Sequence, residues 1–170
     1  MPLQEGMGAI VHADGCTFRV WAPHAKSVKV RVKPSGKGRG KLSELEHDAD
    51  GYWAADLPVV SAGDHYKFVL DTPAGKRERI DPFAMQVTSS VGDGIVVDHG
   101  AFDWQDDTFE LPPHNELVIY ELHVGSFLVK DGPVGTLSTA LEQLSHLQRL
   151  GVNAIQIMPV GEFAGDLSWG

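Results

Sequence analysis

Glu121 and His123 form the first pair of residues whose types and spacing could do chemistry. They interrupt the apolar run "LVIYELHV" two positions apart, so on a strand their side chains would project from the same face. A functional interpretation is that they support the floor of an active site, or that they bind a metal ion together with another histidine. The favoured interpretation is a buried pair that only holds the strand in place. No recognisable ligand spacing links the pair to His146 or to another histidine, so we expect no metal site and no cofactor.

Glu162 and Trp169 are better candidates, because both follow a second apolar run, "NAIQIMPV". They would lie in a loop beyond the C-terminal end of a strand, where α/β enzymes form their binding sites. The aromatic ring of Trp169 could help line a binding cleft by stacking on a ligand. We therefore predict that both residues bind substrate.

The composition limits the partners of the chain. Its 170 residues include 23 acidic and 14 basic side chains, which gives a net charge of -9. This balance argues against nucleic acid or an anionic membrane as a partner. The single cysteine, Cys16, cannot form an intramolecular disulfide, and the sequence shows neither a secretory signal nor an apolar run long enough to span a membrane. We therefore expect a cytoplasmic protein.

The first hundred residues show the alternation that is typical of half-buried β-strands. In "SVKVRVKP" three valines alternate with basic residues. In "TFRVWAP" Phe18 and Val20 share one face, and Thr17, Arg19 and Trp21 share the other. Short strands separated by frequent turn residues, without a convincing helix, predict a β-sandwich.

The segment "KPSGKGRGKLSELEHDAD" joins two of these strands. Glycines between lysines could suggest a phosphate-binding loop, but the segment has no Walker pattern and no helix follows it. Its basic half and its acidic half instead predict a solvated, flexible hairpin tip.

The pattern changes near "FDWQDDTFELPPHNE", which predicts a linker over residues 106–116. Beyond it, the pattern becomes strand, helix, strand. The leucines of "TLSTALEQLSHLQRL" recur at three- and four-residue steps and predict one helix with an apolar stripe. Thr139 and Glu142 match a capping box, and Gly151 stands where a helix C′ glycine is expected.

The two strands "LVIYELHV" and "NAIQIMPV" should be parallel and joined by a right-handed crossover. A strand that is apolar on both faces needs cover on both sides. We therefore expect "NAIQIMPV" to be fully buried, in a doubly wound sheet or a (β/α)8 barrel that continues beyond Gly170. Without such neighbours the strands would keep an unpaired edge, so we predict self-association through residues 117–170 or, alternatively, partial disorder of that segment.

The segments "VIYELHVGSF" and "GTLSTALEQLSHLQRLGVNAIQIMPVGEF", followed by "WG", resemble the start of the catalytic barrel of glycoside hydrolase family 13. The preceding "FRVWAPHAKSVKV", "HYKFVLD" and "RIDPFA" resemble the early-set, immunoglobulin-like sandwich related to carbohydrate-binding module family 48. This resemblance implies a mainly β chain in three parts. They are a β-sandwich over residues 1–105, the linker over 106–116, and over 117–170 the first β-α-β of a (β/α)8 barrel that is truncated after its second strand.

The resemblance also implies an activity. Family members are retaining enzymes that hydrolyse or transfer α-1,4-glycosyl bonds of glycogen, starch or maltooligosaccharides, and this chain looks most similar to branching enzymes and maltooligosyltrehalose trehalohydrolases. The catalytic carboxylates of the family lie on the fourth, fifth and seventh barrel strands. Because no residue here matches them, we predict no catalytic residue in this chain and no activity of the chain alone. Glycogen branching is favoured for the intact enzyme, and the alternative is a non-catalytic sandwich that binds glucan or only supports the fold.

For the sandwich, the resemblance implies a glucan surface of exposed aromatics and a lysine. Lys67 in "HYKF" matches that lysine and is a candidate substrate-binding residue. The tryptophans of glucan-binding members are replaced by glycines and lysines after "RVKP" and by charged residues in "GKRERIDP". Tyr52 and Trp53 remain, and the alternation of "GYWAADLP" exposes at most one of them. A structural sandwich that packs on the barrel is therefore favoured over glucan binding.

Overall fold

The structure, a computed structural model, describes residues 6–130 and 132–165. Its contacts divide these residues into two units. The first unit comprises the described residues up to Asp103 together with residues 162–165, and the second comprises Trp104–Gly161. The three-part division into 1–105, 106–116 and 117–170 remains a prediction.

The first unit is built from short antiparallel strands. In chain order they are β1 (Gly8–His12), β2 (Gly15–Trp21), β3 (Ser27–Lys33), β4 (Lys41–Glu44), β5 (Glu46–His47), β6 (Tyr52–Pro58), β7 (His65–Thr72), β8 (Gly75–Arg79), β9 (Gln86–Val87) and β10 (Gly94–Ile95). One sheet has the order β1-β2-β6-β5, and the other has the order β4-β3-β7-β10-β9 with β8 paired to β7. The prediction of a mainly β fold with antiparallel sheets is confirmed.

One hydrophobic core joins these two sheets. Phe18 of the first sheet and Tyr66 and Phe68 of the second are among its largest fully buried side chains. The ring centroids of Phe18 and Tyr66 lie 5.0 Å apart, and those of Tyr66 and Phe68 lie 6.0 Å apart. The three valines of β3 are buried at alternate positions, as the sequence predicts. Because burial of one such apolar side chain contributes about 1.5–3 kcal/mol, each sheet stabilises the other through this core.

Thr17 departs from the expected half-burial of β2. It lies on the outer face, as predicted, but its exposed fraction is 0%. Its hydroxyl donates a hydrogen bond to the carboxylate of Asp56, which the register places opposite it in β6. The larger side chain of Ile10 lies opposite it in β1. A short side chain between two larger neighbours is covered without leaving the outer face.

The segment between β3 and β6 is more structured than the predicted flexible hairpin tip. A 3-10 turn at Pro34–Gly36 is followed by β4 and β5. Leu45, between these two strands, is buried in the core, and its backbone N–H donates to the carbonyl of Val28 at 3.0 Å. The prediction of a flexible tip over the whole segment is therefore wrong, because this leucine anchors its acidic half.

The second unit contains a parallel pair of strands. Its elements are a 3-10 turn at His114–Glu116, then β11 (Ile119–Leu122), α1 (Val124–Phe127), α2 (Leu137–Leu141), α3 (Leu144–Arg149) and β12 (Ala154–Ile157). The register runs from Ile119 opposite Ala154 to Leu122 opposite Ile157. The predicted parallel pairing is confirmed.

The helical segment differs from the single helix that the leucine spacing predicts. A turn at Glu142 and Gln143 divides it into α2 and α3. The capping box is formed by Thr136 and Thr139 rather than by Thr139 and Glu142, because Thr136 directly precedes the first helical residue. Gly151 follows α3 with φ +88°, as predicted for C′. Among the described residues, no helix is long and apolar enough to cross a membrane.

Apolar side chains of the second unit are largely exposed. Within the predicted leucine stripe Leu147 is buried, whereas Leu137, Leu141, Leu144 and Leu150 are exposed. The prediction that β12 is buried on both faces is wrong for this unit, because Ile155 and Ile157 are 38% and 47% exposed. The cause is that β12 pairs with β11 alone among the described residues.

Candidate functional site

Lys67 lies on the outer face of the second sheet, beside other polar side chains. Every second residue of β3 and of the first half of β7 is buried in the core, so the residues between them point outward. The register places Arg31 opposite Lys67 and Lys33 opposite His65. Because opposite residues of paired strands share a face, these four side chains lie next to one another.

Asp93 joins several of these side chains. Its carboxylate lies 2.7 Å from Nζ of Lys33, 3.7 Å from Nζ of Lys67 and 3.8 Å from Nδ1 of His65. Burial alone would raise the pKa of Asp93, but the hydrogen bond from Lys33 and the nearby positive charges outweigh it and lower that pKa. Nζ of Lys67 also donates to the carbonyl of Val91 at 2.9 Å. The ammonium group of Lys67 is therefore committed to contacts within the sandwich.

The neighbouring part of the same face is a shallow groove of about 400 Å³. Arg31 crosses it toward Glu78, with Nη2 and Nη1 at 2.5 Å and 2.8 Å from the two carboxylate oxygens. Leu42 and Val69 contribute the apolar part of its lining. The lining residues include no aromatic ring, so this groove offers hydrogen bonds and charge rather than a surface on which a sugar could stack.

The remaining aromatic candidates lie on the first sheet. Trp53 is 7% exposed, and its Nε1 donates to the carbonyl of Ala22 at 3.0 Å. Tyr52 is half-buried beneath the guanidinium of Arg19, which lies 4.5 Å from the ring centroid. The prediction that at most one of the two faces water is confirmed, and neither aromatic lies on the face of Lys67.

Glu162 reaches the same loop as Lys67. Its carboxylate accepts a hydrogen bond from the hydroxyl of Ser90 at 2.8 Å, one residue before the carbonyl that Lys67 binds. Residues 88–93, between β9 and β10, therefore bring together two of the three predicted substrate-binding residues. Trp169, the third, lies outside the described residues.

Glu121 and His123 do not form the predicted buried pair, because both side chains are exposed in the second unit. Nδ1 of His123 lies 2.8 Å from the hydroxyl of Ser126 instead. The strand β11, which carries Glu121 and precedes His123, lacks cover, since Ile119 and Tyr120 are 54% and 38% exposed. Over residues 6–130 and 132–165, no group of His, Cys, Asp or Glu side chains could hold a metal ion.

Asp81 is a structural centre that the sequence analysis missed. It is 3% exposed, and its carboxylate accepts hydrogen bonds from the hydroxyl of Tyr66 at 2.6 Å and from the backbone N–H of Phe83 at 2.9 Å. Burial raises the pKa of Asp81 despite these two bonds, and it also raises the pKa of Tyr66. The signal was the Asp-Pro-Phe sequence itself, because an aspartate that bonds the backbone two residues onward forms a tight turn.

Comparisons with known proteins relate both units to larger enzymes. Residues 6–84 match the family model of carbohydrate-binding module 48, described as the isoamylase N-terminal domain. The chain is 35% identical to a malto-oligosyltrehalose trehalohydrolase of Saccharolobus solfataricus, with 92% of the chain and 26% of that enzyme covered. It is 33% identical to the 1,4-alpha-glucan branching enzyme GlgB of Picrophilus torridus, with 95% of the chain and 23% of that enzyme covered.

A solved structure gives the same result. The chain resembles a Salmonella typhimurium protein described as a candidate alpha amylase, with a TM-score of 0.81 and 33% identity. The similarity covers 99% of the chain and 27% of the crystallised one. The chain thus spans about a quarter of the length of each of these relatives.

Proposed function

We propose, from the match of residues 6–84 to the family model of carbohydrate-binding module 48, that the chain serves as the N-terminal part of a family 13 glycoside hydrolase that acts on α-1,4-glucans. The observation that supports the proposal best is the extent of the similarity. A sandwich module alone would match relatives only over the first unit, whereas 99% of this chain is covered by the similarity to the Salmonella protein. The second unit is therefore part of the resemblance.

In this proposal the second unit supplies the start of the catalytic barrel. Two parallel strands joined through helices are the repeating element of a (β/α)8 barrel. The exposed faces of β11 and β12 would be covered by neighbouring strands and helices of the barrel. Glu121 and His123 would then lie inside the barrel, and Glu162 and Trp169 would follow the second strand at its catalytic end.

Hydrolysis or transfer of α-1,4-glucosyl bonds is the proposed reaction of the intact enzyme. Glycogen branching is the predicted form, and release of trehalose is the alternative that the trehalohydrolase relative supports equally. The chain alone is proposed to be inactive, because no residue in it matches a catalytic carboxylate of the family. A cytoplasmic location is proposed on the composition of the chain.

A domain exchange tests the proposal directly. Residues 1–170 would replace the matching N-terminal quarter of the Picrophilus torridus GlgB, with the same enzyme lacking that quarter as the control. We expect the hybrid to fold and to branch amylose, while the shortened enzyme and this chain alone release no reducing sugar and form no branches. A hybrid that folds but is as inactive as the shortened enzyme would contradict the proposal.

The sandwich is proposed to have a structural role in preference to binding neutral glucan. The support is the state of Lys67, whose ammonium group is engaged by Asp93 and Val91, together with the absence of an aromatic ring in the adjoining groove. Electrophoresis of the chain in gels containing glycogen tests this role. Unchanged mobility is expected, and retardation would favour a glucan-binding module.

A further inference from the structure

The charge of the chain is unevenly distributed. Seven of its 14 basic residues lie within residues 26–43, a segment that contains no acidic residue. The rest of the chain carries the other seven and all 23 acidic residues. Half of the basic residues of a protein with net charge -9 are thus concentrated in one segment, where Lys29, Arg31 and Lys33 each pair with a carboxylate.

The structure folds this segment over its own basic side chains. At Gly40 a Cβ atom would lie 2.8 Å from Cγ of Arg31 and 2.9 Å from Cγ of Lys33, so only glycine allows the loop to approach this closely. The backbone N–H of Ser35 donates to the carboxylate of Asp64 at 2.8 Å and holds the start of the loop. The loop therefore has a defined position against β3.

A groove of about 560 Å³ lies between the loop and the sheet. We call it the hairpin groove, and it is lined by Arg31, Lys33, Arg39, Gly40 and Leu42. Three of these five residues are cationic and none is acidic. The carboxylates that pair with Arg31 and Lys33, those of Glu78 and Asp93, are not part of the lining.

Two of the three cations are held in position and one is free to bind. Arg31 is fixed by both oxygens of Glu78, and Lys33 is fixed by Asp93. Arg39 is exposed and forms no ion pair with any residue of the described chain. A free guanidinium next to two fixed cations suits a phosphate group, because its paired N–H donors match two phosphate oxygens.

We propose that the hairpin groove binds a phosphate ester carried by an α-glucan chain, an inference that rests on the proposed α-glucan substrate. The groove of about 400 Å³ toward Lys29 and Val69 shares Arg31 and Leu42 with the hairpin groove, so an extended ligand could follow both. Leu42 is 47% exposed and offers an apolar contact to a sugar ring. Neither groove is lined by an aromatic ring, so charge is the main attraction that this face provides.

Electrophoresis of the full chain in gels containing polysaccharide tests the inference. The four additives are phosphorylated amylopectin, the same amylopectin after phosphatase treatment, glycogen of low phosphate content, and inorganic polyphosphate. We expect phosphorylated amylopectin to retard the chain and the phosphatase-treated sample not to. Arg39→Gln should weaken that retardation about tenfold, as loss of a charge-assisted contact to phosphate would. Arg149→Gln, which changes an exposed arginine of α3, is the matched control and should leave it unchanged.

Each other result overturns the inference in a distinguishable way. Equal retardation by phosphorylated and dephosphorylated amylopectin would show glucan binding without a phosphate site. Retardation by polyphosphate alone would show an anion site that does not take glucan. If no additive retards the chain, the proposed phosphate site does not exist. The proposed enzyme function would be unaffected by that result, because the domain exchange tests it separately. An equal effect of Arg39→Gln and Arg149→Gln would place binding outside the hairpin groove.

Discussion

Both units contain many large apolar side chains, but only the first unit buries most of those on its strands. Phe18 and Phe68 are 0% and 1% exposed in the sandwich, whereas Ile155 and Ile157 of the second unit are 38% and 47% exposed. A strand with one apolar face needs one partner layer, which the second sheet of the sandwich supplies. Parallel strands that are apolar on both faces need two layers, and the second unit alone does not provide them. The difference indicates one self-sufficient unit and one that depends on further structure.

Removal of the second unit should have the largest effect, because it should change the oligomeric state of the protein. A chain that ends at Asp98 should be monomeric and unfold cooperatively, because the strands up to β10 close one core. The full chain should associate through residues 117–170, because each Å² of apolar surface removed from water contributes about 25 cal/mol. Light scattering over a range of concentrations and scanning calorimetry measure the two properties.

Hydrogen exchange provides the control for this separation. Residues 117–160 should exchange quickly in the dilute full chain and slowly in the associated form. A full chain that stays monomeric at high concentration, with this segment strongly protected, would contradict the predicted association. A truncated chain without a thermal transition would place the end of the sandwich elsewhere.

Removal of one apolar side chain from each unit should give a smaller but clear contrast. Phe18→Ala should lower the free energy of unfolding of the sandwich by about 3–5 kcal/mol, because it leaves a cavity in a closed core. Leu141→Ala, at a side chain that is 64% exposed, should change it by about 0.5 kcal/mol or less. Urea unfolding followed by tryptophan fluorescence measures both. Equal losses would show that the second unit is as well packed as the first.

The features predicted from the sequence are those that depend on neighbours in the chain. The alternation of β3 and the turn glycine Gly151 each follow from a local period or a local conformational requirement. The parallel pairing of β11 with β12 was predicted for another reason, because a helical crossover between two strands makes them parallel. The burial of Thr17 depends instead on Asp56, 39 positions away, and the anchoring of Tyr66 depends on Asp81, 15 positions away. Such pairings need a register that the sequence alone does not supply.

The candidate site shows the same division. Lys67 could be selected because its immediate sequence resembles a family motif. Its engagement by Asp93 and Val91 could not be predicted, because both belong to the loop before β10. The helix start at Thr136 was missed for a different reason, since two threonines at a three-residue spacing can form a capping box as well as a threonine and a glutamate.

Two carboxylates should make the stability of the first unit depend on pH in opposite directions. The pKa of Asp93 is lowered in the folded state, so its contribution is present above the unfolded pKa and is lost as the pH falls through the folded value. The pKa of Asp81 is raised, so its contribution is present below the unfolded pKa and is lost as the pH rises through the folded value. Asp93→Asn should therefore reduce the loss of Tm on acidification.

Asp81→Asn serves as the comparison for that titration. In the unsubstituted chain the Tm should fall as the pH rises through the folded pKa of Asp81, and Asp81→Asn should remove that fall. The change in Tm caused by Asp81→Asn should therefore vary with pH in the opposite direction to the change caused by Asp93→Asn. Scanning calorimetry of the chain ending at Asp98 should resolve differences of a few degrees, since about 1 kcal/mol shifts the Tm of a domain of this size by about 4–8 °C. Parallel profiles for the two variants would contradict the assigned directions.

The last prediction compares one glycine in each unit. Gly63 and Gly151 have φ of +89° and +88°, and at both positions a Cβ atom would meet nothing within 4 Å. Alanine at either position should therefore cost about 1 kcal/mol through backbone strain alone, without a clash.

The backbone N–H of Gly63 donates to the carbonyl of Val96 in the core, so Gly63→Ala should lower the stability of the whole sandwich by that amount. Gly151→Ala should instead loosen the end of α3 and speed amide exchange locally, with little change in the main unfolding transition, because an uncovered helix end can fray by itself. If both substitutions lowered the main transition equally, the second unit would unfold together with the first, and the contrast between the two units would be wrong.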